Sequence, residues 1–268
     1  MCGIVGGIGK GNIVPILLEG LKRLEYRGYD SAGVAVIDAS HSLRRQRVVG
    51  KVKELEHSFR HELPDGTIGI AHTRWATHGA PSTRNAHPHV SHDRVALVHN
   101  GIIENHTELR NHLLLRGYEF TSDTDTEVIV HQVYDHLKQG KDLLQAMMDT
   151  ASELIGAYAL GVVSVAEPDR LIATRRGSPL VIGIGTGEYF IASDVSALLS
   201  VTQRFIFLED GDIADMRRHS ITIYDKHHIQ VSRSIRLSQL SVDAIDKRGY
   251  RHHMLKEIYS RRKRLPTP

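Results

Sequence analysis

About a dozen short β-rich runs, each bounded by Gly, Asp, Asn or Pro, constrain this 268-residue chain more than any other feature of its sequence. They fall at Gly3–Ile8, Ala32–Ile37, Arg47–Val49, Thr67–Thr73 and Arg94–His99. A second series covers Ala157–Val165, Leu171–Thr174, Leu180–Ile184, Glu188–Ala192, Ile206–Phe207, Ile221–Tyr224 and Gln230–Ser234. Helical periodicity predicts fewer elements: Asn12–Leu24, Asn105–Leu115, Thr124–Leu137, Leu143–Leu154 and the shorter Val195–Val201. The first places Ile13, Ile16, Leu17, Leu21 and Leu24 on one stripe. Asn105, with Glu108 three residues on, reads as a helix N-terminal cap. Strands do not alternate strictly with helices, and hairpin-like runs dominate from 157 to 234. The expected class is therefore α+β, with mostly antiparallel sheets covered by helices, and not a doubly wound parallel fold. No composition break precedes residue 240, so one domain over 1–240 and a polar tail over 241–268 are expected.

The hydrophobic content of 41% is enough for a sizeable core, and no run is long enough for a membrane span. Lys plus Arg (34) exceeds Asp plus Glu (31) by only three, which argues against a nucleic-acid partner. The dense basic cluster Arg261–Arg264 reads as a solvated tail. A single cysteine rules out an internal disulfide, and no secretory signal opens the chain, so a cytoplasmic location is expected.

That cysteine is Cys2, directly after Met1. If Met1 is removed, one residue carries both a thiol and a free α-amine. The amine has a reference pKa of about 7.7–8.0 and can accept a proton near neutral pH. The thiol, at about 8.5, is partly ionised and intrinsically nucleophilic. Such a residue can be activated by its own amine, so no separate catalytic histidine is needed.

Three further segments carry polar groups suited to a site. In Ala71–Gly79, at a strand end, Arg74 could clamp a carboxylate with two hydrogen bonds and Trp75 could act as a lid or platform. Residue types alone favour a core tryptophan beside a surface arginine. In His99-Asn100-Gly101, the dipeptide Asn100-Gly101 reads first as a hairpin turn. It also offers a side-chain amide beside an unhindered backbone N–H, the parts of an oxyanion hole. The acidic run Ser122–Glu127 fits helix capping, with the alternative that one carboxylate turns outward to a cationic amine. His87, His89 and His92 lack a carboxylate or cysteine at metal-ligand spacing, so no metal is expected, and no cofactor motif is present. Gly183–Gly187 lacks the dinucleotide spacing and reads as a turn.

Taken together, the segments resemble the glutaminase domain of the glutamine–fructose-6-phosphate aminotransferase (glucosamine-6-phosphate synthase) family, among the class II glutamine amidotransferases. The resemblance runs from Met1–Gly6 through Leu24–Gly33, Ala71–Gly79, Asn85–His89, His99–His106, Thr124–Glu127, Ser178–Gly183, Ile191–Asp194 and Tyr250–Met254. It implies a four-layer αββα sandwich of the N-terminal-nucleophile hydrolase type. It implies hydrolysis of L-glutamine to glutamate and ammonia through a Cys2 thioester, with the Cys2 amine as base. Asn100 and Gly101 would hold the oxyanion, Arg74 the α-carboxylate and Asp125 the α-ammonium. Trp75, Thr77, His78 and His87 would belong to the substrate pocket, and Arg27 would support catalysis.

Beyond Tyr259 the sequence departs from the family and runs Ser260–Pro268, without the expected sugar-isomerase half. Hexose-phosphate amination is therefore not expected of this chain alone. An isomerase or synthase domain elsewhere, or a homologous chain, would be the partner. The alternative is a non-catalytic or regulatory remnant that associates with an intact homologue.

Overall fold

The computed structural model describes residues 2–59, 64–76 and 79–239. One sheet runs, in spatial order, through strands Ile235–Leu237, Arg204–Phe207, Val181–Ile184, Tyr189–Ala192, Gly3–Ile8, Ile68–Arg74, Ser31–Ile37 and Leu43–Val49. The other runs through Gln230–Val231, Ser220–Tyr224, Ile213–Arg217, Glu167–Arg176, Gly156–Ser164, Val95–Ile103 and His89–Ser91. Every pairing between these strands is antiparallel. Among the described residues, five α-helices join them: α1 (Val14–Leu24), α2 (Val52–Ser58), α3 (His106–Leu115), α4 (Thr126–Lys138) and α5 (Leu143–Glu153).

Strand pleating sorts the apolar residues into three layers, because successive side chains point to opposite faces. Ile4, Ile70 and Ala35 of the first sheet meet Ala96, Val98, Ala159 and Ala173 of the second in one central cluster. Val5, Ala71, Val34 and Val36 face the other way, onto Leu17, Leu21 and Leu24 of α1 and Leu55 of α2. On the far side, Val95, Leu97, Leu160 and Val162 pack against Ile129, Val130 and Val133 of α4 and Met147 of α5. The layer order is helices, sheet, sheet, helices: the expected α+β, αββα sandwich. Each fully buried Leu or Val in these layers contributes about 1.5–3 kcal/mol relative to exposure.

Among the described residues, several short elements went unanticipated, including the edge strand Ile235–Leu237. Strand Ile213–Arg217 carries Asp215, and its charge is met by Arg170 on the adjacent strand at 2.7 Å, with Arg170 itself buried. Helix α2 has only seven residues, and strand His89–Ser91 three, too short for periodicity to register. The expected helix over 195–201 is a 3₁₀ turn, Val195–Leu198.

Asn105 precedes α3 but does not cap it with its side chain. Its amide nitrogen donates to the Glu153 carbonyl oxygen at 2.9 Å and its oxygen accepts from Ile155 N–H at 3.0 Å, tying α3 to the end of α5. The tail expected over 241–268, and the Tyr250–Met254 motif within it, lie outside the described residues. Among the described residues, no helix is long and apolar enough to cross a membrane.

Candidate active site

The site forms at one end of the space between the two sheets. Ile4 and Ile70 point into that space, so pleating directs Cys2, His72 and Arg74 into it as well. On the facing sheet Ala96 and Val98 point inward, and Asn100 continues their alternation. Hydrogen bonds join the two sheets there. Asn100 Nδ2 donates to the Cys2 carbonyl oxygen at 3.2 Å, and His72 Nε2 lies 2.9 Å from Asn100 Oδ1.

Cys2 Sγ accepts a hydrogen bond from Trp75 N–H at 3.2 Å and lies 3.5 Å from the Trp75 carbonyl oxygen. Burial pushes the thiol pKa up, against the opposing pull of the Trp75 N–H. Burial thus works against the ionisation expected from reference values, which gives a proton acceptor beside the thiol a role.

Asn100 and Gly101 lie inside strand Val95–Ile103, not in the hairpin turn that an Asn-Gly pair suggests by itself. The strand reaches Gly101 at φ 137°, pressed against Ala157 of the next strand. Gly101 is therefore a close-approach glycine, and its N–H follows Asn100 directly in the chain.

Arg74 and Trp75 reverse the exposure that their residue types suggest. Arg74 is 3% exposed and Trp75 is 52% exposed. A buried guanidinium needs partners. Arg74 donates to the Gly79 carbonyl oxygen at 3.1 Å and lies 3.8 Å from Asp30 Oδ1. Asp30 also accepts from Ala76 N–H, so one carboxylate braces both the arginine and the loop that follows it. Trp75 rests over Gly28, where an added Cβ would stand 2.8 Å from the indole ring.

Asp125 is buried just before α4, and its Oδ2 accepts from Ile103 N–H at 2.9 Å. That bond ties it to the strand carrying Asn100 and Gly101. Capping does not explain it, since its side chain makes no cap bond. The acidic residue that serves the local turn is Glu127, which accepts from the N–H groups of Thr121 and Ser122.

Arg27 pairs with Asp194 and donates to the Tyr26 hydroxyl at 3.0 Å. The neighbouring Ser193 hydroxyl accepts from Ile4 N–H at 3.1 Å, so Arg27 sits with the turn that anchors the Cys2 strand. His87 is 5% exposed, stacks on His72 with ring centroids 4.3 Å apart, and lies 2.8 Å from Thr126 Oγ1. His87 thus packs behind His72, against the buried end of the site. Thr77 and His78 lie outside the described residues.

Sequence reasoning passed over His72, Asp30 and Thr126. His72 and Asp30 adjoin residues already singled out, but nothing in the residue order shows that one meets Asn100 and the other Arg74. Among the described residues, no group of three or more His, Cys, Asp or Glu is arranged to hold a metal ion.

Comparison with known proteins places the chain in a family. The family model described as a glutamine amidotransferase domain matches residues 52–249. The chain is 58% identical over 97% of its length to a glutamine–fructose-6-phosphate aminotransferase (isomerizing) of Pseudomonas aeruginosa, of which it covers 42%. It is 52% identical over 98% of its length to the Legionella pneumophila protein of that name, of which it covers 44%. The chain thus spans less than half the length of these curated relatives. Among solved structures, the glutamine phosphoribosylpyrophosphate amidotransferase of B. subtilis superposes with a TM-score of 0.71 at 26% identity, over 84% of this chain and 49% of that one. By sequence and by fold, the chain belongs to the glutamine amidotransferase family.

Proposed function

We propose that the chain hydrolyses L-glutamine to glutamate and ammonia at Cys2. With Met1 removed, the Cys2 α-amine takes the thiol proton and Sγ attacks the side-chain amide carbon of glutamine. The amide oxygen becomes an oxyanion, held by Asn100 Nδ2 and the Gly101 N–H. The carbon–nitrogen bond then breaks as the amine returns the proton, releasing ammonia and leaving a γ-glutamyl thioester. Water gives a proton to the same amine and attacks the thioester. The carbon–sulfur bond breaks, the thiol is reprotonated, and glutamate leaves.

Arg74 clamps the substrate α-carboxylate and Asp125 receives its α-ammonium. The loop around Trp75 closes over the substrate, Thr77, His78 and His87 belong to the pocket, and Arg27 supports catalysis. Residues 1–240 act as one amidotransferase unit, with 241–268 as a linker, in the cytoplasm. The names of the longer relatives support a wider role, in which the ammonia aminates fructose 6-phosphate on a sugar-isomerase domain or homologous chain.

The observation that carries this reading is the meeting at Cys2. The Trp75 N–H engages its sulfur at 3.2 Å, and Asn100 Nδ2 reaches its carbonyl oxygen, also at 3.2 Å, from the opposite sheet. The test is glutamate release by the Met1-processed chain, with mass spectrometry after a glutamine-mimicking electrophile to report Met1 loss and Cys2 labelling together. Glutamate release by Cys2→Ala at the unaltered rate would overturn the reading.

A further inference from the structure

We infer that His72 is a positioning residue that sets which way the Asn100 amide faces, and so makes Asn100 a donor at the reacting centre. The inference rests on the proposed oxyanion role of Asn100. An asparagine amide has nearly the same shape when turned end for end, but one orientation offers N–H and the other offers oxygen. Only the first stabilises an oxyanion. The second would place a partial negative charge against it.

His72 removes the ambiguity. Its Nε2 lies 3.0 Å from the His99 carbonyl oxygen, which can only accept, so Nε2 must carry the proton. The same Nε2 lies 2.9 Å from the near atom of the Asn100 amide. A donor there requires that atom to be Oδ1, which sends Nδ2 toward Cys2, where it meets the carbonyl oxygen at 3.2 Å. The tautomer thus follows from a backbone atom and does not depend on how the amide is assigned.

His72 is held in this role from both sides. It is 0% exposed, with the His87 ring stacked on it at 4.3 Å, and among the described residues its Nδ1 meets no hydrogen-bond acceptor that would stabilise a second proton. Burial holds the ring neutral, with its pKa pushed down to about 3. The Nε2–H donor therefore persists across the working pH range, and the Asn100 orientation does not change with pH.

Steady-state glutaminase kinetics of the full chain test this, with folding followed by thermal melting. His72→Leu is expected to lower kcat at least about tenfold, part of the roughly 10²–10³ expected for full loss of an oxyanion donor. KM for glutamine should stay within about threefold, because the donor acts mainly in the transition state. His72→Gln, whose amide nitrogen can stand in for Nε2–H, should recover most of kcat. In an Asn100→Ala background, His72→Leu should add less than about a twofold loss, since its effect passes through Asn100. A folded His72→Leu chain with full kcat, or an undiminished loss in the Asn100→Ala background, would overturn the inference. Nitrogen-15 NMR of the wild-type chain tests it without a variant, because an Nδ1–H tautomer at His72 would equally overturn it. If the glutaminase reading itself fails, Cys2→Ala and Asn100→Ala will be silent. If only this inference fails, both remain damaging and His72→Leu is silent.

Discussion

Gly101 runs so close to the neighbouring strand that a Cβ added to it would stand 1.9 Å from the Ala157 carbonyl oxygen. Its φ of 137° is also one that L side chains rarely adopt. Gly101→Ala must therefore push two paired strands apart. We expect a loss of about 3 kcal/mol or more, combining backbone strain with the backbone clash. Denaturant unfolding measures it, and an unchanged midpoint would contradict this account.

The buried Arg74 guanidinium makes a narrower prediction. Lysine keeps the charge but cannot present two parallel N–H groups to a carboxylate. Arg74→Lys should raise KM for glutamine at least about tenfold, with a smaller effect on kcat. Asp30→Asn should move KM the same way by less, because Asp30 acts on the substrate only through the guanidinium, 3.8 Å from its Oδ1. Initial-rate kinetics over glutamine concentration decide the matter.

The state of Cys2 sets the pH profile. Burial raises the thiol pKa, so the neutral thiol persists further into alkaline pH than an exposed cysteine would. The proposed proton acceptor is the α-amine, whose reference pKa is about 7.7–8.0. Below that range the amine is protonated, and kcat/KM should fall about tenfold per pH unit. Above it, kcat/KM should level off with no alkaline decline in the range where free thiols ionise. A bell centred below pH 7 would contradict the amine as base.

The buried histidines set the pH dependence of stability. His72 has its pKa pushed down to about 3 by burial, against about 6.5 in an unfolded chain. Because the folded value is depressed, the unfolded state binds more protons below pH 6.5. Stability is therefore lost as pH falls from about 6.5 toward 3, by about 2 kcal/mol between pH 7 and 5 from His72 alone. His87 and His89 shift in the same direction for the same reason. Urea midpoints measured from pH 7 to 5 should fall, and His72→Gln should flatten the fall.

Trp75 is the one tryptophan in the chain, 52% exposed and bonded to Cys2 through its backbone. If the loop closes over substrate, glutamine added to Cys2→Ala should shift tryptophan emission to the blue as the indole leaves water. Gly28→Ala, whose Cβ would stand 2.8 Å from the indole, should change the resting spectrum. An emission spectrum insensitive to saturating glutamine would contradict closure.

Much of the fold was legible because strand period and helix period are local properties. The stripe of Ile13, Leu17, Leu21 and Leu24 was readable in order, and these residues do lie buried under the first sheet. Strand Ile213–Arg217 was not readable, because the charge of Asp215 is tolerated only through Arg170 on another strand. The site divides in the same way. Cys2 was conspicuous by its position and chemistry. His72 was not, because its meaning lies in a contact with Asn100, 28 residues away.

The sequence by itself determined the antiparallel, helix-covered class, the residue able to act as nucleophile, and the motifs that carry the family resemblance. These depend on side-chain period, residue chemistry and residue order, all present in the linear chain. Only the tertiary structure decided that Arg74 is buried and Trp75 exposed, that Asn100-Gly101 continues a strand, and that Asp125 binds that strand at Ile103. Exposure, strand pairing and amide orientation depend on what packs across the two sheets. For the same reason, His72 gained its role only when folding set it against Asn100.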